Sequence, residues 1–266
     1  MTIKLVLSDI DGTLINAQNE LPSKVQQAII NYSQHGTFVL ATARPPQATI
    51  PFMNQLPQNT LAICLNGSLI IQKRLNSFQA IAKYQLPLTS IQGLLTLLTS
   101  HHLNLAVNFF TERHWLVSKR DFWVQNEENL TQTTAQVIPD LDQQLADHTF
   151  YKILCMGEPD TINQLSQYLT QAHLPLNFNR SKATYLEIAA QDVSKLKGME
   201  FIMQKLNCTP DQTLAIGDGE NDLPMINAAG IGVATANALP TVKAQAQYIV
   251  ADCDHDGVQE ALVRFT

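Results

Sequence analysis

Short apolar runs recur along this chain with helical patterns between them, and that alternation restricts the fold more than any other feature. Leu5-Val6-Leu7, Thr37-Phe38-Val39-Leu40-Ala41 and Leu61-Ala62-Ile63-Cys64-Leu65 come early. Thr213-Leu214-Ala215-Ile216, Gly230-Ile231-Gly232-Val233 and Gln247-Tyr248-Ile249-Val250 come late. Continuous apolar runs, as opposed to alternating ones, mark strands covered on both faces. One helical pattern runs from about Pro22-Ser23 to Gln34, with Gly36 as its stop, and the last runs from Gly257 to Phe265. Strands separated by helices pair in parallel, so the expected fold is α/β, a doubly wound, mostly parallel sheet.

The middle of the chain has a different texture. A helix is expected near Thr89 to Ser100, followed by strands at Leu105 to Phe110 and Trp115 to Ser118. Phe150 to Met156 forms another strand, Pro159-Asp160 caps a helix reaching about Ala172, and Leu176 to Ile188 makes a hairpin. This is an α+β unit inserted into the first domain. The expected division is residues 1–82 and 189–266 for the core and 83–188 for the insert, which 266 residues can accommodate.

In open parallel sheets, ligands bind outside the carboxyl ends of the strands. The residues that follow each apolar run are therefore the informative ones. Asp9 and Asp11 follow the first, Thr42, Ala43 and Arg44 the second, and Asn66 and Gly67 the third. Gly217-Asp218-Gly219-Glu220-Asn221-Asp222 follows the fourth. Asp9 and Asp11, two apart in extended chain, point the same way. Carboxylates held together repel, and Asp218 and Asp222 add more negative charge at the same edge. A hard divalent cation with oxygen ligands resolves this, and Mg²⁺ suits a site that also holds phosphate. Gly12 allows a tight turn whose amides face an anion.

The segments Asp9-Ile10-Asp11-Gly12-Thr13-Leu14 and Gly217-Asp218-Gly219-Glu220-Asn221-Asp222 resemble the first and last motifs of the haloacid dehalogenase superfamily. More narrowly, the chain is similar to its Cof-type, sugar-phosphatase-like branch, which inserts a large α/β cap after the third core strand. The resemblance covers nearly the whole chain. It implies a Rossmann-like core and an Mg²⁺-dependent phosphatase acting on small phosphorylated metabolites such as sugar phosphates. Asp9 would be the nucleophile that becomes an aspartyl phosphate, and Asp11 the acid and then the base. Asp9, the Asp11 carbonyl and Asp218 would hold Mg²⁺, with Asp222 supporting the metal site. Thr42 and Asn221 would contact phosphate. Thr42-Ala43-Arg44 carries Ala where the family commonly has Gly. The family also needs a phosphate-neutralising Lys, and Lys195 in Val193-Ser194-Lys195-Leu196-Lys197-Gly198 fits its spacing better than Lys197. On physical grounds alone, two lysines in the first turn of a helix oppose its dipole and call for a nearby anion, without choosing between them. The expected substrate contacts are thus Gly12, Thr42, Ala43, Arg44, Asn66, Lys195 and Asn221, with Arg180 and Lys182 as further polar candidates. The cap would close over the site and select the leaving group. Two other readings carry different expectations: a phosphomutase or phosphotransferase, in which a hydroxyl replaces water, and a non-catalytic phospholigand-binding protein.

Composition narrows the partners. With 17 Lys plus Arg against 23 Asp plus Glu, the formal charge is −6 and no basic cluster stands out, which disfavours nucleic acid and anionic membrane. No apolar run is long enough to span a bilayer, and none resembles a secretory leader. The four cysteines, Cys64, Cys155, Cys208 and Cys253, are far apart and read as reduced thiols of a cytoplasmic protein. Asp252-Cys253-Asp254-His255-Asp256-Gly257 looks like half an EF-hand loop, but Val263 stands at its twelfth position where a bidentate Glu is required. A polar turn before the final helix is the expectation there. Oligomeric state is not legible.

Overall fold

The computed structural model describes residues 2–75 and 77–266. In chain order the elements begin β1 (Leu5–Ser8), α1 (Ser23–Tyr32), β2 (Thr37–Ala41), α2 (Pro46–Asn54), β3 (Leu61–Cys64), β4 (Leu69–Arg74) and β5 (Ser77–Lys83). They continue with α3 (Leu88–Ser100), β6 (Ala106–Phe110), β7 (Trp115–Val117), α4 (Phe122–Thr131), β8 (Gln136–Val137), β9 (Lys152–Met156), α5 (Pro159–Ala172), β10 (Leu176–Lys182) and β11 (Tyr185–Ala190). The chain closes with α6 (Lys195–Leu206), β12 (Thr213–Gly217), α7 (Leu223–Ala228), β13 (Ile231–Thr235), α8 (Pro240–Gln245), β14 (Tyr248–Val250) and α9 (Gly257–Phe265). Two compact units result: Met1–Arg44, Thr49–Ala82 and Ser194–Thr266 form the first, Pro45–Ala48 and Lys83–Val193 the second.

The first unit is built on an eight-stranded sheet in the order β14-β13-β12-β1-β2-β3-β4-β5. The strands from β14 to β3 run parallel, and β4 turns back antiparallel on β3. The chain leaves β1 toward β2 and β3 and later returns to β12 on the other side, so the winding reverses at β1. That reversal opens a crevice at the carboxyl ends of β1 and β12. All four residues of β1 are buried, which explains their unbroken apolar character. Leu5 and Leu7 share a face and pack with Met199 and Ile202 of α6 and Met225 of α7. Burying each such side chain contributes roughly 1.5–3 kcal/mol. Val25, Ile29 and Tyr32 give α1 its buried stripe at i, i+4 and i+7.

Two features of this unit leave little trace in the sequence pattern. The first is the pair β4 and β5, which extends the parallel sheet with an antiparallel edge. The second is the role of Lys73 on β4. Its buried ammonium donates to the carbonyls of Met53 and Leu56 at 2.9 and 2.8 Å, tying β4 to the last turn of α2 and the residues just beyond it.

The second unit carries a six-stranded sheet in the order β10-β11-β9-β6-β7-β8. The expected hairpin is present, with Leu176 opposite Ala190 and Phe178 opposite Ile188. One face packs against α3 through Ile91, Leu94 and Leu98 and against α5 through Ile162, Leu165 and Leu169. Buried polar groups on this sheet are paired. Trp115 Nε1 donates to Asn108 Oδ1 at 2.9 Å, and Lys152 meets Glu187 at 2.9 Å. The start of α5 differs in detail from the expectation. Glu158 occupies the cap position without a side-chain bond, Pro159 opens the helix, and Asp160 lies in the first turn, where its charge suits the dipole. Helix α4 is unannounced by periodicity, since its Phe122 and Leu130 are exposed. Its start is fixed by Asp121, whose side chain accepts from Val124 N at 3.1 Å.

Among the described residues no helix is long and apolar enough to cross a membrane. The four cysteines are unpaired thiols. Cys253–His255 form a short 3₁₀ turn ahead of α9, and Asp252 accepts from Asp254 N at 3.0 Å. The segment is a polar turn, and Asp254 also accepts from Ala17 N at 2.8 Å.

Candidate functional site

The site grows from strand register in the first unit. Ser8 on β1 stands opposite Leu40 on β2 and Ile216 on β12. The next residues on each strand therefore leave the sheet together, and Asp9 N donates to Ile216 O at 2.9 Å as they do. Asp9, Asp218 and Asp222 converge here, with one carboxylate oxygen from each lying within 4.8 Å of the others. Backbone turns make this convergence possible. Gly12 has φ +75°, and a Cβ on it would stand 2.4 Å from Asp218 Oδ2, so only glycine fits. Asp222 Oδ2 accepts from the amides of Asp218 and Gly219 at 3.1 and 3.0 Å, closing the acidic loop on itself.

Lys195 enters this cluster as the first residue of α6. Its ammonium, 1% exposed, lies 2.5 Å from Asp9 Oδ1 and 2.7 Å from Asp222 Oδ1. Ser194 caps the helix by accepting from Lys197 N at 3.2 Å. Lys197 points elsewhere and pairs with Glu200 at 3.0 Å on the exposed side. Successive helical residues rotate about 100°, so residues two apart face nearly opposite ways.

The carboxylates outnumber the ammonium, and the local electrostatics follow. Burial pushes Asp9 well above the ordinary carboxylate value. Lys195 opposes that, while Asp222, Asp218 and Asp11 add to it. Burial together with Asp222 raises Asp218 to about 6, against the Thr13 hydrogen bond and Lys195. Burial pulls Lys195 down, but Asp222 and Asp9 outweigh it and hold the ammonium above the ordinary lysine value. Three acidic groups facing one fixed cation leave an excess of negative charge, which a second cation or a proton must balance. The all-oxygen donor set fits a hard divalent cation.

Asp11 stands apart from the three converging carboxylates. Its side chain is 57% exposed and accepts from Arg44 Nε at 2.8 Å and Arg44 NH2 at 2.6 Å. The same guanidinium donates to Asn19 Oδ1 at 2.6 Å and lies 5.2 Å from the Phe52 ring centroid. Thr42 is fully buried, and its Oγ1 accepts from Arg44 N at 3.0 Å. An oxygen engaged that way keeps its hydrogen to donate. Asn66 Oδ1 accepts from Asn221 Nδ2 at 3.2 Å.

Asp9, Asp218, Asp222 and Lys195 thus come together directly, while Thr42, Ala43, Arg44, Asn66 and Asn221 lie on loops of the same unit. Arg180 and Lys182 belong to the second unit. There Arg180 donates to Ala183 O at 2.7 Å and to Asn163 Oδ1, and Lys182 lies over the Tyr185 ring. Sequence reasoning overlooked Thr13, which donates to Asp218 Oδ1 at 3.0 Å, although it follows Gly12 directly. It also overlooked Asn19, and Asn237, whose Nδ2 donates to Gly12 O at 2.7 Å. Nothing in the local sequence around Asn237 signals that bond.

Comparison with known proteins gives a consistent result. Residues 6–262 match the family model of the haloacid dehalogenase-like hydrolases. A 5-amino-6-(5-phospho-D-ribitylamino)uracil phosphatase of Bacillus subtilis is 28% identical, covering 98% of this chain and 94% of its own. A pyridoxal phosphate phosphatase of Escherichia coli is 25% identical, covering 98% and 97%. The crystal structure of a haloacid dehalogenase-like hydrolase from Bacteroides thetaiotaomicron superimposes with a TM-score of 0.88 at 29% identity, covering all of both chains.

Proposed function

This chain belongs to the haloacid dehalogenase-like hydrolase family and is a phosphatase of it, and from that premise we propose that it hydrolyses small phosphorylated metabolites through Asp9. The observation that carries this reading is the buried Lys195 ammonium between Asp9 and Asp222, with Asp218 in the same cluster. Residues 1–82 and 189–266 would form the catalytic domain and residues 83–188 a separate inserted one.

Asp9, Asp218 and Asp222, with the Asp11 carbonyl, would hold a hard divalent cation, which we assign as Mg²⁺. When bound it supplies charge neutralisation for the phosphoryl oxygens. Lys195 binds Asp9 through Oδ1, which leaves the second oxygen to attack phosphorus. The bond from phosphorus to the leaving oxygen breaks as the bond to Asp9 forms, giving an aspartyl phosphate. Lys195 and the Thr42 hydroxyl, which has a hydrogen to donate, stabilise the phosphoryl oxygens, and Asn221 orients them. The Asp11 carboxyl gives its proton to the leaving oxygen, then takes one from the water that hydrolyses the acyl phosphate. Arg44 holds the ionised carboxylate by two bonds, so Asp11 gives up one of them as it takes from water the proton that it then delivers to the leaving oxygen. Arg44 thereby sets the position from which Asp11 acts.

The test uses an aryl phosphate and the whole chain. Phosphate release should require Mg²⁺ and stop with EDTA, and Asp9→Asn should remain folded while losing turnover by roughly 10⁴-fold or more, as nucleophile deletions do. Wild-type turnover in Asp9→Asn would overturn the assignment.

A further inference from the structure

Strands β3 and β12 stand three inter-strand steps apart, roughly 14 Å, with β1 and β2 between them. The segments that follow them nevertheless meet. Asn221 in the acidic loop after β12 donates to Asn66 in the turn after β3 at 3.2 Å. The chain after β3 reaches that position through three successive residues with positive φ: Leu65 at 52°, Asn66 at 56° and Gly67 at 113°. Left-handed backbone is tolerated by Asn and Gly, but it strains Leu65. Such strain persists only where the surroundings fix the chain, and here they do. Leu65 is fully buried, its amide donates to Arg44 O at 3.0 Å, and the Asn66 amide donates to Thr42 O at 2.9 Å. Gly67 lies so close to the cap of α6 that a Cβ would stand 2.3 Å from Ser194 O. One strained turn therefore touches the loop carrying Thr42, the residue before Lys195, and the loop carrying Asp218 and Asp222.

We infer that Asn66 is a positioning residue that acts through Asn221 to fix the 218–222 loop for cation binding, and not a substrate contact. The inference rests on the reading that Asp218 and Asp222 hold a divalent cation. The 218–222 loop is closed internally by Asp222 and held on its β1 side by Thr13, which donates to Asp218 Oδ1 at 3.0 Å, and by Lys195, which donates to Asp222 Oδ1 at 2.7 Å. The Asn66–Asn221 bond adds a tie from the opposite direction, to the turn after β3 beyond β1 and β2, and so fixes the end of the loop that those bonds leave unheld.

Direct Mn²⁺ binding, measured by titration calorimetry on the full chain without substrate, tests this. Asn66→Gly keeps the left-handed backbone while removing the amide. It should weaken Mn²⁺ binding about fivefold, the worth of one net hydrogen bond. A merely structural Asn66 would lower the thermal midpoint in EDTA and leave the affinity at the wild-type value. Asn221→Ala should also weaken Mn²⁺ binding, and the double variant should lose less than the sum of the two single losses, because both remove the bond they share. Asp218→Asn serves as the reference for the cation reading. Weak binding by Asp218→Asn with unchanged binding by Asn66→Gly would overturn the inference and leave the cation site standing. Additive losses in the double variant would also overturn it. Absence of Mn²⁺ binding by the wild type would overturn both.

Discussion

Replacing Lys195 by Met removes the one cation that, among the described residues, is fixed inside this buried acidic cluster, while nearly conserving side-chain length. The wild-type ammonium is 1% exposed and bonds two carboxylates at 2.5 and 2.7 Å. Without it, Asp9, Asp218 and Asp222 face one another with no fixed counter-charge. Removing one partner of a buried ion pair costs roughly 3–5 kcal/mol, because the remaining charge stays desolvated. Here two carboxylates lose the same partner, so the upper part of that range is expected at pH 8 in EDTA. The loss should shrink at pH 5, where the cluster takes up protons, and should shrink again at pH 8 when Mg²⁺ is added. Urea unfolding followed by circular dichroism gives the free-energy difference from the shift in midpoint at constant slope. A loss below about 1 kcal/mol at pH 8 in EDTA would contradict the electrostatic account, because that is the worth of an exposed pair.

Two further outcomes follow from other parts of the first unit. Asp218 has a folded pKa of about 6 against an ordinary value of 3.8, so the folded state binds its proton more tightly than the unfolded chain does. In the metal-free protein this group is destabilising above pH 6, and the penalty is relieved as the pH falls from 6 toward 4. The full gap is on the order of 3 kcal/mol. Asp218→Asn should therefore gain stability over the wild type in EDTA at pH 7.5 and lose that advantage at pH 4.5, as read by urea unfolding at each pH; an equal difference at both would contradict the cause given. Lys73→Met removes the charged donor from the carbonyls of Met53 and Leu56 and should cost about 1.5–3 kcal/mol, the range for hydrogen bonds to a charged group. A thermal midpoint equal to the wild type would rule out that role.

The sequence is most readable where burial is complete. Thr37–Ala41 is delimited to the residue because both faces of β2 are covered and Gly36 precedes it. The meeting of Asp9 with Asp218 is likewise legible, since both directly follow such strands. Strand β5 hides because its exposure is mixed along its length, which blurs the period-two signal. Helix α4 hides because exposed Phe122 and Leu130 scramble its apolar stripe, although Asp121 marks its start. Lys195 and Lys197 share the first turn of α6, and only the packing of that helix on β1 and β3 decides which one turns inward. The links Arg44–Asp11, Asn66–Asn221 and Asn237–Gly12 join residues 33, 155 and 225 positions apart. No local pattern encodes contacts of that separation; they follow from strand order.

The central claim is that Asp9 takes the phosphoryl group. Asp11→Asn should still form the acyl phosphate from an aryl phosphate, whose aryl oxide leaves without the acid, but hydrolyse it slowly, because the base that activates water is gone. This variant is mixed with an aryl phosphate and Mg²⁺, quenched in acid within a turnover, digested and analysed by mass spectrometry. One added phosphoryl group is expected on the peptide containing Asp9, absent when Asp9→Asn is introduced as well. A phosphoryl group found on another residue, or none at all while product appears in a burst, would contradict it.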